Sequence, residues 1–160
     1  MSLLSSQSIL CPSCGKSDDI KIYSSINVRE DPDLKEKVSD GSLFVWTCPT
    51  CGHRTLLRYP VLYHDPESRL MIWLTYDKDA ESQAKKVFDG MDSLNDYTGR
   101  LVGDVGSLIE KVHIFDCGLN DLAVEMCKYV IRQEKGSDLS LKFVRMDGAE
   151  GDLIFTYPKD

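Results

Sequence analysis

Short apolar runs with a period of two dominate the first half of the chain and predict β-strands. The clearest run lies at 20–28, where Ile20, Ile22 and Ile26 would share one face. The strand-like segments are 20–28, 42–47, 54–63 and 69–76. The last two flank a turn at 64–68, and they therefore predict a β-hairpin.

Helical signals appear between and after these strands. Asp31 followed by Pro32 predicts a helix N-terminus, because Asp is a favoured cap and Pro suits the first turn. This helix is expected to end near Ser39, before Gly41. The polar segment after residue 76 predicts a short surface helix at 79–89 and a linker at 90–96.

The second half of the chain has the pattern of a helical pair followed by a hairpin. Further predicted elements are a strand at 98–103, helices at 104–115 and 120–134, and strands at 139–146 and 152–157. Asn120 is expected to cap the second helix of the pair. This helix has an apolar stripe, which predicts its buried face. The stripe consists of Leu122, Ala123, Met126, Cys127, Val130 and Ile131.

Composition and charge argue against several classes of protein. The 160 residues suffice for one ordinary domain or for two small ones, and no apolar run of about 18 residues predicts a membrane span. The N-terminal residues lack the basic start and long apolar stretch of a secretory signal. The net charge of −7, most of it after residue 76, argues against non-specific binding of nucleic acid.

Four of the six cysteines form two pairs of identical pattern, Cys-Pro-x-Cys-Gly. The pairs are Cys11 with Cys14 and Cys48 with Cys51, separated by 33 residues. Two cysteines three apart in a tight turn direct both sulfurs to one ion, and four thiolates complete a tetrahedral shell. The sequence therefore predicts one structural zinc ion with no open position for a substrate.

Other interpretations of the cysteines stay open. A rubredoxin-like iron site has the same ligands, and each Cys-x-x-Cys pair could also form a redox disulfide. His53 could replace one cysteine as a ligand. Outside the pairs, Cys127 is expected to be a small core residue, whereas Cys117 at a helix break is a candidate for a reactive thiol.

Two other groups of residues offer candidate chemistry. His64 and Asp65, at the predicted hairpin turn, are the best candidates for an acid–base pair, although Asp65 before Pro66 also suits a simple turn. Arg54, Arg58 and Arg69 lie among aromatic residues of the strands, a mixture that could bind single-stranded nucleic acid. The aromatic residues are Phe44, Trp46, Tyr59, Tyr63, Trp73 and Tyr76. A half-buried sheet is the alternative interpretation of this group.

The chain resembles the CpXC family, which is named for two Cys-Pro-x-Cys motifs. The resemblance rests on the two cysteine pairs and on the segments 31–37, 59–66, 108–116 and 118–121. It implies that Cys11, Cys14, Cys48 and Cys51 are the metal ligands and that the protein is bacterial or archaeal and cytoplasmic. It assigns no reaction.

These observations predict an α+β fold, in which an elaborated zinc-ribbon β-sheet subdomain precedes a helical pair with a C-terminal β-hairpin. The expected divisions are a ribbon at 1–76, a polar linker or surface helix at 77–97, and an α+β subdomain at 98–160. The cysteine pairs and the lack of an export signal favour a reducing cytoplasm.

The leading functional hypothesis is a non-enzymatic binding or assembly module whose partner is a protein or a second copy. A homodimer would form because a lone terminal hairpin gains by pairing its edge. The alternatives are a nucleic-acid-binding ribbon using Arg54, Arg58 and Arg69, and an enzyme using His64 and Asp65. No membrane partner is expected.

Overall fold

A computed structural model describes residues 2–92, 96–136 and 138–158 of the chain. The chain divides into two units, Met1–Val105 and Gly106–Asp160. No helix among the described residues has the length and apolar content of a transmembrane segment. Helices and strands both contribute to the architecture, which confirms the predicted α+β class.

The described part of the first unit contains seven strands and two helices, together with a 3₁₀ turn at Ser42–Phe44. The strands are β1 (Leu3–Leu10), β2 (Ser17–Asn27), β3 (Val45–Thr47), β4 (Arg54–Leu56), β5 (Val61–Asp65), β6 (Leu70–Leu74) and β7 (Thr98–Val102). The helices are α1 (Pro32–Ser39) and α2 (Lys78–Asp92). Five strands form one sheet in the order β1-β2-β5-β6-β7, and β3 and β4 form a separate ribbon.

The predicted hairpin at 54–76 is present as β5 and β6. These strands pair antiparallel, with Val61 opposite Leu74 and Tyr63 opposite Ile72. All four side chains are buried, and the residues between them are half-buried. The alternate residues of both strands therefore point to one face of the sheet, and that face is fully buried.

Two segments differ from the strands that the sequence predicts. The expected single strand at 54–63 is two strands, β4 and β5, because residues 57–60 cross from the ribbon to the large sheet. Pro60 lies in this crossing and cannot donate a ladder hydrogen bond. The expected strand at 42–47 begins as a 3₁₀ turn, and only Val45–Thr47 is extended.

The polar segment after β6 forms a longer helix than predicted. Helix α2 continues through Asp92, and its neighbour in the fold is β7. The rest of the predicted linker at 90–96 includes residues 93–95, which lie outside the described residues. Strand β7 pairs parallel with β6, so the first unit extends past the boundary that composition suggested.

The second unit contains the predicted helical pair and terminal hairpin. Its elements are α3 (Val105–Asp116), α4 (Asp121–Lys135), β8 (Lys142–Asp147) and β9 (Asp152–Thr156). Asn120 caps α4 as expected, since its side chain accepts hydrogen bonds from the backbone N–H groups of Leu122 and Ala123. Ile114, Val124 and Phe143 form one buried cluster within this unit.

The apolar stripe of α4 does not lie where the sequence placed it. Leu122, Met126 and Val130 are 62%, 71% and 53% exposed, whereas Asp121, Val124 and Lys128 are the buried residues of the helix. Cys127 is also exposed, so its expected role as a core residue is wrong. Periodicity shows that one side of a helix is apolar, but it cannot show which side the rest of the chain covers.

Candidate metal centre

The first cysteine pair forms the turn that connects β1 to β2. The Cys11 N–H donates to the Lys16 carbonyl at 2.8 Å, and the Gly15 N–H donates to the Cys11 carbonyl at 2.9 Å. Gly15 has a φ of 69°, in the left-handed region that glycine adopts without steric cost. The turn is therefore closed on itself by two backbone hydrogen bonds and one glycine.

The second pair repeats this geometry in the turn between β3 and β4. The Cys48 N–H donates to the His53 carbonyl at 2.8 Å, and the Gly52 N–H donates to the Cys48 carbonyl at 2.9 Å. Gly52 has a φ of 74°. The repeated motif in the sequence thus becomes two turns of matching shape, each at the end of its own hairpin.

The two turns meet, and their four sulfur atoms all lie within 4.8 Å of one another. The distance from Cys11 Sγ to Cys51 Sγ is 3.6 Å, and the distance from Cys14 Sγ to Cys48 Sγ is 3.7 Å. A tetrahedron with metal–sulfur bonds of about 2.3 Å has sulfur–sulfur edges of about 3.8 Å. Both distances, each between one turn and the other, therefore fit a single four-coordinate ion.

Backbone hydrogen bonds lower the pKa of both Cys14 and Cys48, whereas the neighbouring sulfurs raise the pKa of Cys14 and lower that of Cys48. Hydrogen bonding by the Cys51 N–H, aided by the Thr50 N–H, lowers the pKa of Cys48 to about 6 despite burial. The Lys16 N–H lowers the pKa of Cys14, but burial and the three neighbouring sulfurs outweigh it and raise that pKa to about 12. Four crowded thiols resist full ionisation on their own, and a bound cation relieves this repulsion.

An apolar cluster supports the sulfurs from inside the first unit. Trp46 is buried with Cys11 and Cys48, and Ile9, Ile20 and Leu57 pack against this cluster. The Trp46 Nε1–H donates to Asp18 Oδ2 at 3.0 Å, which joins the ribbon to the large sheet. Sequence reasoning missed both residues in this role, although strand alternation already places Trp46 on the same side as Cys48.

The geometry also bears on the other interpretations of the cysteines. The distances of 3.6 and 3.7 Å, both between different pairs, far exceed the bond length of a disulfide, about 2.05 Å. The side chain of His53 is exposed and is not part of the sulfur cluster. Zinc and iron both accept four thiolates in this arrangement, so the geometry does not choose between them.

His64 and Asp65 do not form a joint site. They are consecutive residues of β5, so their side chains point to opposite faces of the sheet. His64 Nε2 lies 3.1 Å from the Tyr97 hydroxyl, and burial lowers the pKa of His64. A groove of about 250 Å³ is lined by Asp65, and His64 is not among its lining residues.

The buried carboxylate of Asp65 organises the turn between β5 and β6. It accepts hydrogen bonds from the Glu67 N–H at 3.1 Å, the Ser68 N–H at 3.2 Å and the Ser68 hydroxyl at 3.1 Å. The Lys35 ammonium lies 3.4 Å away. These contacts are those of a turn-forming Asp residue, as the alternative sequence interpretation held.

The three arginines belong to different parts of the first unit. Arg54 lies in β4 and Arg58 in the crossing that follows, and both are exposed. Arg69 lies in the turn before β6, where its guanidinium is 3.3 Å from the Asp96 carboxylate. Of the neighbouring aromatic residues, Phe44, Trp46, Tyr59 and Tyr63 are buried. Four of the six rings are thus unavailable for stacking on bases.

The two cysteines outside the pairs lie in the second unit. Cys117 is half-buried and packs against the cluster of Ile114, Val124 and Phe143. Cys127 is exposed on α4. Neither is part of a group of metal-ligating side chains among the described residues.

Comparison with known proteins agrees with the pattern of the centre. A family model described as "CpXC protein" matches residues 9–128, three quarters of the chain and all four cysteines of the cluster. Neither the curated proteins nor the solved structures contain a match to this chain.

Proposed function

The chain belongs to the CpXC family, and on that premise we propose that it is a structural zinc protein with a non-enzymatic binding or assembly role. Cys11, Cys14, Cys48 and Cys51 would each supply one thiolate to a single zinc ion. The observation that carries the proposal is the set of sulfur–sulfur distances, which fits a tetrahedral shell. A full shell of protein ligands leaves no position for water or substrate.

The role of the ion follows from the elements that it connects. Cys11 and Cys14 belong to a hairpin of the five-stranded sheet, whereas Cys48 and Cys51 belong to the separate β3–β4 ribbon. The ribbon has only two strands of three residues each, too few for independent stability. An ion bound to both turns would hold the ribbon on the sheet and contribute directly to folding.

The test of the metal is its content in protein purified without added metal. Mass spectrometry of the metals should give about one zinc per chain, with both cysteine pairs resistant to alkylation until a chelator removes the ion. Cys48→Ser should abolish this stoichiometry, whereas Cys117→Ser and Cys127→Ser are matched controls that should retain it. One iron per chain, with the red colour of its thiolate complex, would replace zinc in the proposal. Less than about 0.3 metal per chain, with the thiols reduced, would overturn it.

The proposal places the protein in a reducing compartment, the cytoplasm. All six cysteines are free, and thiolate–metal centres with two exposed ligands are open to oxidation. Loss of the metal from native extracts prepared without reductant, but not from extracts prepared with it, would support this placement. Retention of the ion under prolonged oxidation would argue against the need for such a compartment.

Nucleic-acid binding is the second candidate function. The structure favours it less, because most of the aromatic and arginine side chains expected on its binding surface are buried or paired. Four of the aromatic rings are buried, and Arg69 pairs with Asp96. Single-stranded oligonucleotides should therefore show no binding at low salt in a fluorescence anisotropy titration. A tight and steeply salt-dependent signal that Arg54→Ala and Arg58→Ala remove would reverse this ranking.

A further inference from the structure

A cleft of about 190 Å³ lies in the first unit, where the hairpin of β1 and β2 meets β4 and the segment that follows it. We call it the ribbon cleft. Its apolar lining includes Ile9, Ile20, Ile22 and Leu57, and its polar lining includes Thr55, Arg58 and Tyr59. None of the four clustered cysteines lines it, so an inference about the cleft stands apart from the proposed zinc ion.

Two hydroxyl groups of the ribbon cleft have no hydrogen-bond acceptor in the part of the chain that the structure describes. They are the hydroxyls of Thr55 and Tyr59, and both oxygen atoms are buried. The side chain of Tyr59 belongs to the core, since the residue is only 7% exposed. Folded proteins pair nearly all of their buried polar groups, because an unpaired one is destabilising. Two such hydroxyls in one cleft therefore indicate a group that the cleft receives.

The Tyr59 hydroxyl is fixed in position and keeps its proton. Its ring packs against Phe44, which is fully buried, with the ring centroids 5.6 Å apart. Burial raises the pKa of Tyr59 to about 12, and the backbone N–H of Tyr23 near its oxygen offsets this effect only in part. An N–H that approaches the oxygen leaves the hydroxyl proton available for an acceptor. A donor that the core already holds in place loses little freedom on binding.

Arg58 determines the charge that suits the ribbon cleft. No acidic side chain lines the cleft, although the chain has 26 acidic residues and only 19 basic ones. A guanidinium group binds a carboxylate through two parallel hydrogen bonds. A carboxylate could thus accept hydrogen bonds from Arg58, Thr55 and Tyr59, whereas an ammonium group would find no counter-charge in the lining.

We propose that the ribbon cleft binds a small carboxylic acid with a short aliphatic chain. The carboxylate lies against the guanidinium of Arg58 and the two hydroxyls, and the chain packs on the isoleucine side chains of β1 and β2. An apolar cavity of about 150 Å³ holds benzene, so the ribbon cleft suits a ligand of about six to eight non-hydrogen atoms. The acid 4-methylpentanoate has this size.

The experiment is a titration of the full chain, as purified, with 4-methylpentanoate, measured by calorimetry and by NMR of the isoleucine methyl groups. Binding should saturate and shift the signals of Ile9, Ile20 and Ile22, while Ile114 of the second unit should not respond. Two matched ligands have the same carbon skeleton. The neutral 4-methylpentanamide lacks the charge, and leucine adds an ammonium without a counter-charge, so each should bind at least tenfold more weakly.

Thr55→Val removes one hydroxyl and keeps the shape of the side chain. It should weaken binding about tenfold and leave the midpoint of thermal unfolding unchanged or raised, because the fold does not pair this hydroxyl. A hydroxyl with a merely structural role would give the opposite result, a lower midpoint and unchanged affinity. Tyr59→Phe should weaken binding to a similar extent. Tyr129→Phe, at a residue that is 62% exposed in the second unit, is its control.

Arg58→Gln should also weaken binding about tenfold, because it removes the cation that faces the carboxylate. Lys21→Gln is the matched control. Lys21 is exposed between Ile20 and Ile22 in β2, and strand alternation places it on the opposite face of the sheet. Equal losses for Arg58→Gln and Lys21→Gln would show general attraction of anions to the surface and would overturn the proposal.

Three further results would overturn the proposal. One is the absence of saturable binding in the millimolar range, with unmoved isoleucine signals. Another is binding that neither Thr55→Val nor Tyr59→Phe changes, since water would then be the partner of both hydroxyls. The third is equal affinity for inorganic phosphate, which has no aliphatic chain. Metal content is measured separately on the same sample, so failure of this proposal leaves the zinc proposal unaffected.

Discussion

The indole N–H of Trp46 donates a 3.0 Å hydrogen bond to the carboxylate of Asp18. Trp46 belongs to β3 and Asp18 to β2, so this bond joins two sheets that share no ladder hydrogen bonds. It lies beside Cys11 and Cys48, which share one buried cluster with Trp46. Together with the apolar packing of Ile9 and Ile20 around Trp46, this bond helps to fix the ribbon at the metal centre.

Trp46→Phe should therefore loosen the metal centre without emptying it. The ring remains to cover the sulfurs, but the charged acceptor loses its donor, at a cost of about 1.5–3 kcal/mol. We expect a lower free energy of unfolding and faster release of the metal to a chromogenic chelator. Asp19→Ala, one residue from Asp18 and exposed, is the control. Equal release rates for Trp46→Phe and the unmodified chain would show that the bond is unimportant.

The buried pair of Lys128 and Glu110 should respond asymmetrically to substitution. Lys128→Met leaves the Glu110 carboxylate buried with a weaker counter-charge, and we expect a loss of about 3 kcal/mol in chemical unfolding. Glu110 also accepts the Phe143 N–H at 2.8 Å.

The double variant Lys128→Met with Glu110→Gln should recover most of the lost stability. It removes the buried charge that Lys142, 3.5 Å away, balances only in part, while the Gln side-chain oxygen still accepts the Phe143 N–H. A double variant less stable than Lys128→Met alone would contradict this account.

Asp65 should make the fold sensitive to acid. Burial raises the pKa of this carboxyl, but hydrogen bonds from Ser68 and the charge of Lys35 outweigh it and lower the pKa below its usual value. Such a group stabilises the fold above its unfolded pKa of about 3.9, and this contribution is lost as the pH falls through the lower, folded value. Asp65→Asn should therefore flatten the loss of stability below about pH 4.

Urea unfolding at several pH values measures this effect. Release of the metal in acid affects both proteins, so the informative quantity is the difference between Asp65→Asn and the unmodified chain. Ser68→Ala keeps the carboxylate but removes one hydrogen bond that lowers its pKa, and should give an intermediate acid dependence. The same acid dependence in all three proteins would rule out Asp65 as the source.

The glycines of the two cysteine turns should be equally intolerant of alanine. Both have positive φ, and a Cβ atom at either position would have nothing within 4 Å. Gly15→Ala and Gly52→Ala should thus each cost about 1–2 kcal/mol through backbone strain alone, and Asn should cost less. Gly90→Ala, in α2 and also in open space, should be neutral or stabilising in the same thermal unfolding assay. A large difference between Gly15 and Gly52 would contradict the matching geometry of the turns.

Much of the fold could be predicted from the sequence, because its signals are local. Asn120 caps α4, Pro32 begins α1, and the turn at Asp65 separates two paired strands, all within a few residues of their signals. The prediction of one continuous strand at 54–63 was wrong, because it followed the hydrophobic pattern and disregarded Pro60, which interrupts strand pairing. The predicted buried side of α4 was wrong because the buried side depends on Glu110 and Lys111 of α3, which lie 18 and 10 residues from their partners Lys128 and Asp121.

For the candidate site too, the features set by neighbouring residues could be predicted, and those set by distant residues could not. The two cysteine turns could be predicted, since spacing, proline and glycine determine each of them locally. The bond between Trp46 and Asp18 spans 28 residues of sequence, and no pattern in either segment indicates the other. The separation of His64 and Asp65 onto two faces follows from strand alternation, a signal that was available once both residues were placed in one strand.

The position of each cysteine pair in its own hairpin turn has a consequence for the order of assembly. Each pair can take its shape from a few neighbouring residues, so two half-sites are ready before the chain has found its long-range contacts. An ion captured by Cys11 and Cys14 then needs only the arrival of Cys48 and Cys51, which closes a loop of 33 residues. Metal uptake should accordingly have a fast local phase and a slower phase with the rate of ribbon docking.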